Sequence, residues 1–240
     1  MTRAGTRQVT LAELVRRHDP DRFLTALFAP ADKREALLAL YAFNHELARA
    51  REVVSEPPLA LIRLQWWREV AEGAHRRHEV AEPLVAAIEA GALQRQDLLA
   101  LIDAREAEAE PGFTTEADWR AYVFGSAGGV AVAAARLLGA PEPERFRPLG
   151  AAYGIAGLLR SAPIHDQQGR RMLPAGKSVR QLADCGLALL QPMWLPRSMI
   201  AAALPAVLAR RDLRGAPHFP PRRGLGDRLA VTFAGLAGRI

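Results

Sequence analysis

Few side chains in this sequence are spaced for metal chemistry. Carboxylates four residues apart on a helix share a face and can hold a hard cation such as magnesium. Glu52 and Glu56 have that spacing, but Pro57 follows directly and disfavours helical geometry at Glu56. A second polar stretch, His165-Asp166-Gln167-Gln168-Gly169-Arg170, gathers an imidazole, a carboxylate and a guanidinium. One residue turns a helix by about 100°, so Asp166 would point away from a helical face defined by His165. Pro163 predicts a helix end just before this stretch and a loop within it. His45 and Arg49, one turn apart near Glu52, make the local surface basic and oppose cation capture. On this evidence the acids read first as solvated or ion-paired groups.

Composition sets the frame for these groups. The chain has 240 residues, half of them hydrophobic, enough for one globular domain with a core of its own. Lys33 and Lys177 are the only lysines among 32 basic residues, so the charge of +6 is an arginine charge. The arginines are scattered along the sequence. A basic surface favours anionic partners without choosing among diphosphates, lipid headgroups and nucleic acid. No recognition helix, RNA-binding signature or zinc-finger spacing accompanies them, so no specific nucleic-acid partner is expected. Cys185 is the single cysteine, which excludes an intrachain disulfide, fits a reducing compartment and is expected to be a small buried residue. Met1 to Thr10 carries Arg3 and Arg7 without the apolar core of a signal peptide, and no uninterrupted apolar run has membrane-spanning length. A soluble or peripheral protein is expected.

The elements that must position these groups are helical throughout. Leu11, Leu14 and Val15 repeat at helical spacing up to a turn at His18-Asp19-Pro20. Asp32 is placed to cap a helix whose apolar residues Leu37, Leu40, Tyr41, Phe43 and Leu47 lie close to one face, ended by Pro57-Pro58. Helices are predicted over 59–73, 83–89 and 96–108. Thr115 starts a further one, whose Trp119 and Tyr122 lead into Gly125, Gly128, Gly129 and an alanine-rich run to Leu138, small residues that permit close helix approach. Another runs from about Pro148 to Ser161, and the last third holds one or two more. Residues 1–215 are read as one helical domain, and 216–240 as a Pro/Gly/Arg-rich connector with a short apolar helix from Leu229 to Ile240. No strand alternation and no internal repeat are found. The fold class is all-α, a single domain.

Several stretches resemble the squalene/phytoene synthase family, whose enzymes join two prenyl diphosphates head to head. Leu40-Tyr41-Ala42-Phe43 and Leu64-Gln65-Trp66-Trp67-Arg68-Glu69 resemble its opening motif helix and the helix after it. Ala121-Tyr122 and Ala127-Gly128 with Val130 resemble its tyrosine and small-residue helix. Leu159-Arg160, eight residues and then Gly169-Arg170-Arg171-Met172-Leu173-Pro174 match the second motif without a gap. The resemblance runs from about Arg22 to Pro174 and implies an isoprenoid-synthase-type helical bundle with a central cleft.

In that family two Asp-x-x-x-Asp pairs hold magnesium ions that draw charge from the diphosphate leaving group. Carried over, the pairs fall on Ala48 and Glu52, and on Ser161 and His165, so only Glu52 is still a carboxylate. The resemblance therefore implies a degenerate motif: no catalytic residue, no cofactor, and magnesium at Glu52 and Asp166 only if the site has moved. Tyr41, Arg160 and Arg170 are the substrate-binding candidates it implies, although either arginine can instead pair with Asp166 or cap helix carbonyls. Trp66 and Trp67 point about 100° apart, so at most one faces the interior. Ala42-Phe43-Asn44-His45-Glu46-Leu47-Ala48, Val54-Ser55-Glu56 and Leu159-Arg160-Ser161-Ala162-Pro163-Ile164-His165 are similar to a non-catalytic branch of respiratory complex I assembly factors. That branch implies complex I subunits or assembly intermediates as partners and a cytoplasmic protein, peripheral to the inner membrane. An active prenyltransferase and an isoprenoid or lipid carrier are the alternatives.

Overall fold

Why the chain folds around one buried rod is visible in a single helix. The structure, a computed structural model, describes residues 10–54, 56–110 and 112–240, so the reading of Met1 to Thr10 falls, apart from Thr10, outside the described residues. Twelve α-helices are found there, in the order α1 (Leu11–His18), α2 (Pro20–Ala26), α3 (Ala31–Glu52), α4 (Pro57–Glu72), α5 (Ala81–Glu89), α6 (Arg95–Glu106), α7 (Glu116–Gly125), α8 (Ala127–Leu137), α9 (Arg147–Gln167), α10 (Val179–Ala188), α11 (Pro205–Gly215) and α12 (Leu225–Ala237). No strand occurs among the described residues, only isolated bridges between Gly112 and Arg171 and between Trp194 and Arg239. The architecture is the expected all-α bundle. No helix among the described residues is long and apolar enough to cross a membrane.

α3 is the central rod. Every residue from Leu37 to Asn44 is buried, because α1, α2, α4, α5 and α8 all pack against it. The expectation of one apolar face is corrected: a helix enclosed by neighbours must be apolar around its whole circumference. Trp67 is buried against Phe43, ring centroids 5.5 Å apart, while Trp66 remains half-buried beside Trp67 and His78. α8 lies between α3 and α9. Its approach to α9 depends on glycine: a Cβ on Gly128 would stand 3.0 Å from the Arg147 carbonyl oxygen, and one on Gly154 2.6 Å from the Ala127 Cβ.

Several local readings of the sequence differ from the structure. Asp32 sits in the first turn of α3 and does not cap it; Pro30 holds the N-cap position without a side-chain hydrogen bond. α3 ends at Glu52, and Pro57-Pro58 open α4, where proline's missing N–H costs nothing. Cys185 is half-buried, not buried. Pro163 does not break α9. The helix passes through it to Gln167 with the proline on the exposed side. It stops at a Schellman turn in which Gly169 takes φ +71° and the Arg170 N–H donates to the His165 carbonyl at 2.9 Å.

The C-terminal residues are packed against the bundle. α12 starts earlier than predicted, at Leu225, and buries Val231, Gly235 and Asp227 against the body. The connector before it is fixed by Arg223, which bridges Asp21 of α2 and Asp212 of α11.

Candidate functional site

The Schellman turn that ends α9 ties the Arg170 backbone back to His165, five residues earlier, with the Arg170 side chain facing the end of α6. There a 3-10 turn, Ala107–Ala109, rotates Glu108 into the interior, where the residue is 5 % exposed. Three donors converge on it. Arg105 donates from Nη1 to Glu108 Oε1 at 2.5 Å, the Tyr122 hydroxyl of α7 donates to the same oxygen at 2.5 Å, and Arg170 donates from Nη2 to Oε2 at 3.3 Å. Arg105 also donates from Nη2 to Asn44 Oδ1 of α3 at 3.1 Å. Helices α3, α6 and α7 and the turn after α9 thus meet in one buried ionic cluster.

Electrostatics in the cluster follow from burial. Burial opposes the charge on Arg105, but Tyr122 and Glu108 more than offset it and hold its pKa above the usual arginine value. Burial raises the Tyr122 hydroxyl, with Arg105 opposing and Glu108 adding. Glu52, at the C-terminal end of α3, has its pKa raised by partial burial and by Glu108, against the pull of Arg170, Arg105 and Arg49. His165 is lowered by partial burial and then by Arg170. Glu52 and His165 therefore share the field of Glu108 and Arg170, at the rim of the cluster.

The cluster is not saturated. Arg170 is 5 % exposed, yet its Nε and Nη1 are buried without a hydrogen-bond partner, and so is His165 Nδ1. Unmet buried donors cost free energy, on the order of 1–3 kcal/mol each in neutral cases. The Arg170 nitrogens are donors, so the group that would complete them is an acceptor, an oxyanion in shape and charge. Magnesium does not fit the same place: two guanidinium groups face it, and among the described residues no group of three or more His, Cys, Asp or Glu is gathered as a metal requires. Ser161 turns its Oγ back to the Gly157 carbonyl at 3.0 Å, Ala48 offers no ligand, Asp166 is exposed, and Glu56 sits in extended backbone (φ −106°, ψ 132°) outside both helices.

A cleft of about 170 Å³ leads inward from Arg105 and Tyr122 along Gly154, Gly157 and Leu158 to Arg22 and Tyr153. Tyr41 lies beyond, 1 % exposed, lining a remnant cavity of about 10 Å³ with Arg22. The Arg22 guanidinium lies 5.6 Å from the Tyr41 ring and 4.9 Å from the Tyr153 ring, and pairs with Asp19 at 2.9 Å. Burial pushes the Tyr41 hydroxyl up to about 12. The inner end of the cleft is thus closed by a buried cation. Small-molecule pockets hold about 300–1,000 Å³, more than this slot offers.

Of the residues singled out from the sequence, Arg170, His165 and Glu52 come together. Arg160 does not join them: it donates to Asp212 at 3.0 Å and to the Pro220 carbonyl at 3.1 Å, so its acidic partner is Asp212, not Asp166. His45 stacks on His18, ring centroids 4.5 Å apart, and Arg49 pairs with Glu46 at 3.3 Å. Arg105, Glu108 and Asn44 were not legible as site residues, because Arg105 and Glu108 stand in the charged run Asp103-Ala-Arg-Glu-Ala-Glu-Ala-Glu110, which has the composition of a solvated helix face.

The model of the squalene/phytoene synthase family matches residues 15–178. Among curated proteins, the human NADH dehydrogenase (ubiquinone) complex I assembly factor 6 is 28 % identical over 170 residues, which are 68 % of this chain and 51 % of that protein. The Drosophila melanogaster homolog is 26 % identical over 174 residues, 67 % of this chain and 52 % of its own length. The chain spans about half the length of the curated relatives it matches. Among solved structures, squalene synthase HpnC from Alicyclobacillus acidocaldarius superposes with a TM-score of 0.58 at 18 % identity, over 95 % of this chain and 92 % of that one. A dehydrosqualene synthase in complex with ligand gives 0.58 at 16 %, over 95 % and 82 %.

Proposed function

The chain belongs to the squalene/phytoene synthase family, and from that premise we propose that it uses the fold as a binding and assembly module, with respiratory complex I intermediates as partners, and not as a magnesium-dependent synthase. One observation carries the reading. Where the family holds magnesium on paired aspartates, this chain has Ala48, Glu52, Ser161 and His165, and the buried Arg105 and Arg170 present cations to the same region. Like charges cannot share that place with a divalent ion unless further carboxylates offset them. The curated relatives are named as complex I assembly factors, which supports the partner.

The test has two arms. Affinity capture from cells should recover complex I subunits or intermediates, and gene deletion should lower assembled complex I. Capture that recovers no complex I subunits, together with normal complex I after gene deletion, would overturn the assembly role. Purified protein given farnesyl or geranylgeranyl diphosphate with magnesium should release no more pyrophosphate than a heat-killed control. Turnover lost in Glu52→Ala would establish a prenyltransferase instead.

A second reading is favoured by the open donors of Arg170: a carrier that holds the diphosphate or carboxylate end of an isoprenoid or lipid without converting it. Tight magnesium-independent binding of a prenyl diphosphate, without turnover, would support it.

A further inference from the structure

The charge of this molecule is concentrated although its arginines are not. Residues 191–240 contain eight arginines and two acids, Asp212 and Asp227, and the rest of the chain has as many acids as bases, so the net charge of +6 comes from this last part alone. Both acids there are buried, and both are engaged by arginines: Asp212 by Arg160 and Arg223, Asp227 by Arg211. Arg197, Arg214, Arg222 and Arg228 are exposed and form no ion pair among the described residues. This surface is basic with no exposed acid among the described residues of 191–240 to neutralise it.

α12 adds an apolar ridge to it. At about 100° per residue, Leu225, Leu229, Phe233 and Leu236 fall within about an 80° arc, opposite the face that buries Asp227 and Val231. They are 72, 45, 67 and 57 % exposed. Trp194, 70 % exposed, extends the ridge past the end of the helix, where Leu195 N–H donates to the Gly238 carbonyl at 2.8 Å and the Arg239 guanidinium covers the indole at 5.0 Å. Arg228 flanks the ridge on the helix itself, and Arg222 lies just before it in the chain. Four large apolar side chains on a convex line of about 16 Å, flanked by cations and ended by an indole, have the form of a helix lying in a membrane interface. Charge complementarity selects an anionic bilayer over a neutral one.

We propose that α12 and Trp194 form an in-plane anchor that docks this protein on anionic lipid surfaces. The assignment is independent of the assembly reading: it fixes which face meets a bilayer and leaves the cleft cluster free to meet another partner. The experiment is flotation of the full chain with vesicles of phosphatidylcholine alone and of phosphatidylcholine mixed equally with phosphatidylglycerol. Binding is expected on the mixed vesicles only and should weaken as salt is raised. Phe233→Glu with Leu236→Glu should lower the partition at least about tenfold, and Arg222→Glu and Arg228→Glu about fivefold or more each, with unchanged thermal melting because these side chains are exposed. Ile62→Glu on α4, another exposed apolar position, is the control and should bind as the parent does. Equal binding to both vesicle types, no flotation, or retained binding in the α12 variants would overturn the proposal. So would a lipid-free dimer that the same α12 variants dissociate, since a second copy would then be what covers the ridge.

Discussion

Two ionic networks in this molecule, one half-buried around Arg223 and one buried around Glu108, are built from similar residue types and end in different states. Around Arg223, all three guanidinium nitrogens are used: Nε and Nη2 on Asp21 at 2.7–3.1 Å, Nη1 and Nη2 on Asp212 at 2.6 and 2.8 Å, with Arg160 adding a further bond to Asp212 at 3.0 Å. Around Glu108, Arg105 and Tyr122 bind well, but Arg170 uses Nη2 and leaves Nε and Nη1 unmet. A saturated network is a latch, and it fastens the connector and α12 to α2 and α11. A buried network with spare donors is held open by the surrounding fold, which is what a site for an acceptor ligand looks like.

Mutation separates the two networks. Arg223→Met leaves Asp21 with only the Tyr153 hydroxyl at 3.4 Å and Asp212 with Arg160 alone; breaking a fully buried pair from one side costs about 3–5 kcal/mol, and in this half-buried network about 2–3 kcal/mol is expected. Urea unfolding should show a loss of that order. Arg170→Met removes the two unmet donors along with two long hydrogen bonds, to Glu108 Oε2 at 3.3 Å and to Met172 Sδ at 3.7 Å, while Arg105 and Tyr122 continue to hold Glu108. Its loss should be under about 1 kcal/mol. Equal losses for the two variants would show that both networks are structural and that the open donors do not mark a site.

Inorganic pyrophosphate without magnesium should raise the melting temperature of the parent chain by about 3 °C at roughly ten times its Kd. Arg170→Met should abolish the shift, and a surface change such as Arg180→Ala should not. A shift that survives in Arg170→Met would place the anion elsewhere, most directly on the free arginines of the C-terminal part.

How much of this was legible in the sequence depended on whether the signal was local. The fold was legible, because apolar spacing at Leu37, Leu40 and Leu47 and the capping residue Thr115 act within a few residues. Pro163 misled because an exposed proline is tolerated near the end of a long helix, and Gly169, six residues on, was the effective stop. Arg170 and His165 were found through motif spacing. Glu108 was not, since only a 3-10 turn after α6 separates it from the exposed acids around it. Asp21 and Arg223 are 202 residues apart, and no pattern in either segment announces the other. The basic C-terminal part was missed because arginines were weighed without the acids that elsewhere balance them.

The smallest expected effect is a pH dependence that only the open network should produce. His165 has its pKa lowered from 6.5, so below that value the unfolded chain binds the proton more readily and stability falls as pH falls. Glu52 has its pKa raised from 4.5, so the folded chain holds the proton better, and the stability this gives is lost as pH rises past 4.5 through the raised value. The two residues therefore tilt the stability curve in opposite directions over adjoining windows. His165→Gln should flatten the loss between about pH 6.5 and pH 5, followed by the urea midpoint. Part of that loss should remain, because His45 is lowered by partial burial and by His18. Glu52→Gln should instead gain on the parent as pH rises above about 4.5. Arg170 is the second cause of the His165 shift, so Arg170→Met should shrink the His165 contribution, whereas Arg223→Met should leave it unchanged. If both arginine variants alter the acid limb equally, the limb reports general weakening of the fold, and His165 does not titrate as part of the Glu108 cluster.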